Sequence, residues 1–276
     1  MPLTLMYITN DPTRAQVAQD AGVDRIWIDL EYIGKEERQR GTGTVRTLHT
    51  LDDVVRMRPV VKSSELLVRV NPIHRACGGK LGSRAEIDGA IEAGADVIML
   101  PMVRSADEVK RFIDLVDKRA KTMLLFETAE SVENIEEIIA LDGIDDVFIG
   151  LNDLHLAYKK KFMFELLCDG TVQKLCEYFR AHGLVYGFGG IAGIGGGKLP
   201  AEYIIAEHYH LGSTGAILSR EFCDSKMITD PERFRKVFID GVKNIRLKER
   251  EVALYSEDEY IANYDEIVRR VREIVG

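Results

Sequence analysis

Glu127 follows directly on the apolar run Met123-Leu124-Leu125-Phe126, and Asp153 follows Val147-Phe148-Ile149-Gly150-Leu151-Asn152. Each acid stands where a buried strand would end. Two carboxylates that point into one space repel each other unless a positive group lies between them. A hard divalent cation such as Mg²⁺ or Mn²⁺ takes oxygen ligands and keeps positions open for water or substrate. The alternative is that Glu127 caps the next helix and Asp153 makes a turn. The run Gly150-Leu151-Asn152, just ahead of Asp153, is the expected substrate contact.

Arg69 lies within Leu66-Leu67-Val68-Arg69-Val70-Asn71-Pro72. A guanidinium at such a place must pair, either with an anionic substrate oxygen or with a structural carboxylate. Asp29 and Glu31 flank Leu30 and so share one side of their strand, where they can orient water around a metal or hold Arg69. The glycine-rich run 187–198 has neither the phosphate-loop pattern nor a dinucleotide fingerprint, and it reads as a lid or a close backbone approach. His208 and His210 lack a third metal partner, and Lys159-Lys160-Lys161 reads as a solvated loop.

These residues need strands to carry them. Near-continuous apolar runs at residues 3–8, 25–30, 66–70, 97–100, 122–126, 146–149, 184–186 and ending near 216–218 read as buried parallel strands. Helices intervene, with N-terminal signals at Thr50-x-x-Asp53, Ser83-x-x-Glu86 and Ser105-x-x-Glu108. Eight strand–helix units in 276 residues predict one TIM-type (β/α)₈ barrel spanning 1–276, with an open doubly wound sheet as the alternative. The loop 31–49, with Lys35, Arg38, Arg40 and Arg46, falls at the catalytic face of such a barrel. The tail 230–276 reads as two amphipathic helices, the eighth barrel helix and a spare one expected to pack on a neighbouring subunit.

A net charge of -8 argues against nucleic acid or an anionic membrane as the partner. No run approaches the ~20 apolar residues of a membrane span, and none resembles a signal peptide. Four cysteines without a framework are expected to be thiols, which predicts a cytoplasmic enzyme.

The motifs Ile28-Asp29-Leu30-Glu31, Val68-Arg69-Val70-Asn71-Pro72, Glu92-Ala93-Gly94-Ala95-Asp96, Leu100-Pro101-Met102-Val103, Phe126-Glu127-Thr128 and Gly150-Leu151-Asn152-Asp153 occur in an order that resembles the HpcH/HpaI aldolase and citrate lyase beta-subunit family. The resemblance implies a metal-dependent carbon–carbon lyase. Glu127 and Asp153 would hold Mg²⁺ or Mn²⁺, and Arg69 would stabilise the enolate of a 2-oxo acid such as pyruvate. The second reactant would be an aldehyde or an acyl partner, and the enzyme a homo-oligomer. The aldolase branch carries a histidine directly after the second-strand glutamate; here that position is Tyr32. His49 is then the expected replacement base, and Glu92 stands where the acidic partner of that histidine belongs. Acyl-CoA cleavage and a non-catalytic oxo-acid binder are the competing expectations.

Overall fold

A computed structural model describes residues 2–35, 48–77, 81–223 and 228–276. The strands are β1 (Thr4–Ile8), β2 (Arg25–Asp29), β3 (Glu65–Arg69), β4 (Val97–Leu100), β5 (Lys121–Phe126), β6 (Asp146–Ile149), β7 (Val185–Ile191) and β8 (Gly215–Leu218). They pair in sequence order, all parallel, and β8 closes on β1. This is a TIM-type (β/α)₈ barrel.

Between and after the strands, the described helices are α1 (Pro12–Asp20), α2 (Leu51–Met57), α3 (Ser83–Glu92), α4 (Ala106–Val116), α5 (Ala129–Glu133), α6 (Ile135–Ile139), α7 (Leu151–Ala157), α8 (Glu165–Cys168), α9 (Thr171–Ala181), α10 (Ala201–His210), α11 (Pro231–Val252) and α12 (Glu257–Val275).

The strand pleat sorts the inward residues into layers, because successive side chains alternate between the two faces. Arg25, Glu65, Lys121 and Asp146 start their strands and form an ionic plug. Arg25 meets Glu65 at 2.8 Å and Asp146 at 2.5 Å, and Lys121 meets Glu65 at 2.6 Å. Two residues along, Trp27, Leu67, Met123 and Phe148 join Met6, Val97, Met99 and Leu125 in an apolar middle layer. Above it come Asp29, Arg69 and Glu127. A strand such as Arg25-Ile26-Trp27-Ile28-Asp29 is wholly buried because its outward residues pack under helices.

Three expectations need correction. The seventh strand runs on through half of the glycine-rich segment, to Ile191. Its glycines serve close packing: a Cβ on Gly187 would stand 2.5 Å from the Gly215 carbonyl oxygen and 2.8 Å from Phe148. The register shifts between Gly187 and Gly190, as glycines within strands often permit. Of the three N-terminal signals only Thr50-x-x-Asp53 closes as a reciprocal box. Ser83 lies inside its helix, where its hydroxyl accepts from the His74 N–H, and Glu86 turns elsewhere.

The tail forms the two expected helices, and α11 packs against α1 and α10 as the eighth barrel helix. The last helix, α12, lies on this chain's own α10 and α8. Ile267 and Val271 are buried there, each side chain worth about 1.5–3 kcal/mol. Tyr264 donates to the Cys168 carbonyl at 3.2 Å and Asn263 to the Tyr203 carbonyl at 3.1 Å. The chain itself thus covers the Ile267 and Val271 part of the apolar stripe, while Ile261 and Ile274 stay exposed.

Candidate active site

A cavity of about 190 Å³ opens at the C-terminal end of the barrel. Asp29, Arg69, Glu127, Gly150, Leu151, Asn152 and Asp153 all line it. A larger depression, about 1220 Å³, lies at the opposite end around the plug. There Arg25, Glu65 and Lys121 satisfy one another, and the loops that carry chemistry in this fold are at the other face.

Arg69 ends β3 opposite Asp29 in register on β2. Its Nε and Nη2 each donate to an Asp29 carboxylate oxygen at 2.8 Å, and Nη1 stands 3.4 Å from Glu31. Lys35 adds a bond from Nζ to Asp29 at 2.6 Å and lies 3.8 Å from Glu31. Burial alone would push the Asp29 carboxyl upward. The two cations outweigh it, and Asp29 titrates well below the usual carboxylate range. Of the five N–H donors of Arg69, two serve Asp29 and one leans toward Glu31, which leaves one on each terminal nitrogen for a ligand. The guanidinium stacks over Trp27, 5.0 Å from the ring centroid. Trp27 lines the cavity, and its indole nitrogen has no hydrogen-bond partner among the described residues.

Glu127 follows β5 and is buried. It accepts a 3.0 Å hydrogen bond from the Met102 N–H. Met102 presents that N–H from a left-handed backbone, φ 53°. Gly150 gives the carboxylate its room, since a Cβ there would come within 2.7 Å of the Glu127 Cβ and 2.8 Å of Oε2. Burial first, and then the charges of Asp153 and Glu31, raise the Glu127 carboxyl to about 8. Among the described residues no group of three or more His, Cys, Asp and Glu is placed to hold a metal. The donor set here is a pair, which suits an ion that draws its other ligands from water or substrate.

Glu31 and His49 stand behind the cavity and do not line it. The His49 Nδ1 accepts from the Asp29 backbone N–H at 3.0 Å, and burial holds the ring below its ordinary range. Tyr32 is 45% exposed, with its backbone N–H tied to Asn71 at 2.9 Å. The acid near Tyr32 is Glu86, and this corrects the expectation of Glu92. Glu92 ends α3, exposed, and helices run back toward the plug, so it lies at the wrong end of the barrel. Glu86 sits in the first turn of α3 and accepts from the Asn71 backbone at 3.1 Å and its side-chain amide at 2.6 Å. Asn71 in turn accepts from the N–H groups of Tyr32 and Ile33.

Trp27, Met163 and Arg220 also line the cavity and were missed. Trp27 was visible as the inward residue two before Asp29, and Arg220 as a cation two past the end of β8. Arg38, Arg40 and Arg46 lie outside the described residues. His208 is a core residue, stacked on Phe188 at 3.8 Å with Nδ1 on Ser213 at 2.8 Å.

Residues 3–165 match the family model described as HpcH/HpaI aldolase/citrate lyase. A (3S)-malyl-CoA thioesterase of Cereibacter sphaeroides is 28% identical over 263 residues, covering 93% of this chain and 84% of that protein. A hydroxypyruvate/pyruvate aldolase of Cupriavidus necator is 25% identical over 173 residues, covering 52% of this chain and 56% of that one. The crystal structure of an HpcH/HpaI aldolase from Desulfitobacterium hafniense superposes with a TM-score of 0.60 at 17% identity, covering 79% of this chain and 86% of that chain, a likeness of fold. With more than half of its length matched and the barrel closed as such a domain requires, this chain belongs to the HpcH/HpaI aldolase/citrate lyase family.

Proposed function

We propose that this protein is a divalent-metal-dependent carbon–carbon lyase acting on a 2-oxo acid such as pyruvate through an enolate. The observation that carries the reading is the buried Glu127, which lines one cavity with Asp153 and with the N–H groups of Arg69 that Asp29 and Glu31 do not use. Glu127 and Asp153 would hold Mg²⁺ or Mn²⁺. When bound, the ion would supply Lewis acidity toward the oxo acid's oxygens.

The chain's own residues do the rest. Arg69, fixed by Asp29, offers N–H donors to charge that develops on the enolate oxygen. Trp27, Leu125 and Phe148 give a floor that excludes water beneath it. The hydroxyl proton of a 4-hydroxy-2-oxo acid passes to a base, the carbon–carbon pair stays on the oxo acid as the enolate, and a carbonyl compound leaves. A second cavity of about 230 Å³ shares Glu127 and Asp153 and adds Met102, Thr128, Ala129 and Leu156. It is the proposed place for that product. We read the protein as a single domain, cytoplasmic and homo-oligomeric; no described helix is long and apolar enough to cross a membrane.

The malyl-CoA thioesterase likeness, which spans 93% of the chain, favours acyl-CoA cleavage as a second reading. Incubating the protein with a 4-hydroxy-2-oxo acid or with malyl-CoA, each with Mg²⁺ or with a chelator, separates the two. Metal-dependent pyruvate from the first supports the lyase. Free CoA from the second, without pyruvate from the first, rejects it. Calorimetric Mn²⁺ binding that survives Glu127→Ala and Asp153→Ala would remove the metal assignment.

A further inference from the structure

A lyase of the kind proposed above needs a group that takes a proton from one atom and returns it to another. The residues expected to do so are poorly placed. Tyr32 turns out to solvent, and the His49 ring holds the Asp29 backbone from behind the cavity. Asp29 is bound by two cations and titrates too low to compete for a proton.

Lys35 is differently placed. It lies four residues beyond Glu31, is only 6% exposed, and lines the cavity with Arg69 and Glu127. Its Nζ donates to Asp29 at 2.6 Å and approaches Glu31 at 3.8 Å. An ammonium has three N–H groups, and these contacts leave one for the cavity. Its position follows from the Glu86–Asn71 pair, since Asn71 fixes the Tyr32 and Ile33 N–H groups three and two residues earlier. Gly34, at φ 71°, then turns the chain so that Lys35 points back inside.

We propose that Lys35 is the proton-transfer residue of this site, in the place of the histidine that Tyr32 replaces. This rests on the lyase reading. In cleavage the Lys35 amine takes the hydroxyl proton as the carbon–carbon bond breaks. The electron pair goes to the enolate and the carbonyl product departs. The ammonium then gives the same proton to the enolate carbon, forming the methyl group and restoring the amine. Among the described residues, Asp29, Glu31 and Arg69 face Lys35. His49 lies nearby, with its own charge opposed by Lys35.

The test compares the parent with Lys35→Met and Lys35→Arg, each with Mg²⁺ or Mn²⁺. Deuterium exchange at the pyruvate methyl is followed by NMR and pyruvate binding by emission of Trp27. Circular dichroism confirms folding. The Met variant should bind pyruvate yet lose exchange by roughly 100-fold or more, and added methylamine or ethylamine should restore part of the rate. The Arg variant keeps the charge but cannot release a proton near neutral pH, so it should stay inactive. Exchange within threefold of the parent in either variant overturns the assignment, and so does a Met variant indifferent to added amine. A parent that binds pyruvate without exchanging it overturns the lyase reading instead.

Discussion

Arg69 and Asp29 meet as a bidentate pair, two hydrogen bonds of 2.8 Å between register partners on β3 and β2. Asp29 is 2% exposed, and it also meets the Lys35 ammonium at 2.6 Å. Removing the charge of Asp29 therefore strands two buried cations. Asp29→Asn should lower unfolding free energy by about 3–5 kcal/mol, the usual cost of breaking a buried pair from one side. Urea denaturation measures it. A loss below about 1 kcal/mol would show that the three groups do not depend on one another.

Glu127 makes the stability of the protein depend on pH. Its folded value is about 8 and an unfolded glutamate titrates near 4.3. Between those values the folded protein holds a proton that the unfolded chain has released. Metal-free stability should fall as pH rises through that window, by a few kcal/mol in all at about 1.4 kcal/mol per unit. Above it the curve flattens. Glu127→Gln should remove this part of the slope, and Mg²⁺ should offset it in the parent. Identical slopes in parent and Gln variant would contradict the account.

Glu86 acts through Asn71 and not on the substrate. Glu86→Gln keeps a hydrogen-bonding group beside Asn71, whereas Glu86→Leu takes the acceptor from the Asn71 backbone N–H and from one of its side-chain N–H groups. The Leu variant should lose about 1–3 kcal/mol, together with the placement of Lys35. Its exchange rate should fall with little change in the Mn²⁺ affinity measured by calorimetry. A Leu variant as stable and active as the parent would mean that the 31–35 segment is held by something else.

Trp27 is the only tryptophan of the chain and lines the cavity. Intrinsic fluorescence therefore reports directly on this site. Pyruvate with Mg²⁺ should change the emission in a saturable way. Trp27→Phe removes the unpartnered N–H while keeping an aromatic floor. If a substrate oxygen answers that N–H, binding measured by calorimetry should weaken by about fivefold to tenfold, the worth of about 1 kcal/mol. Unchanged affinity would assign Trp27 to packing alone.

The barrel was legible because eight buried runs separated by helices leave few other ways to cover both faces of a parallel sheet. Asp29, Arg69, Glu127 and Asp153 were legible for a related reason: a charge that ends an apolar run must be answered where the strand ends. The lower plug was not read: Arg25 and Asp146 were placed at strand starts and Glu65 and Lys121 just outside theirs, and spacing does not say which of them meet across the barrel. Glu86 was taken for a helix cap because spacing says nothing about which neighbour a side chain meets across the barrel. Lys35 was read only as one cation of the loop 31–49 at the catalytic face. Its inward turn depends on Asn71, 36 residues further on, and no local pattern carries that contact. The length of β7 was hidden by glycines that read as a loop and are required by the approach of β8.

The central claim is that this site enolises a 2-oxo acid with the help of a divalent ion. Proton NMR of pyruvate in D₂O with the protein tests it most directly, with Mg²⁺ or Mn²⁺ and then with chelator. The account predicts that the methyl signal decays with metal, persists with chelator, and persists in the Glu127→Ala protein. A methyl signal that stays constant with metal bound, or that decays equally in the presence of chelator, would contradict it.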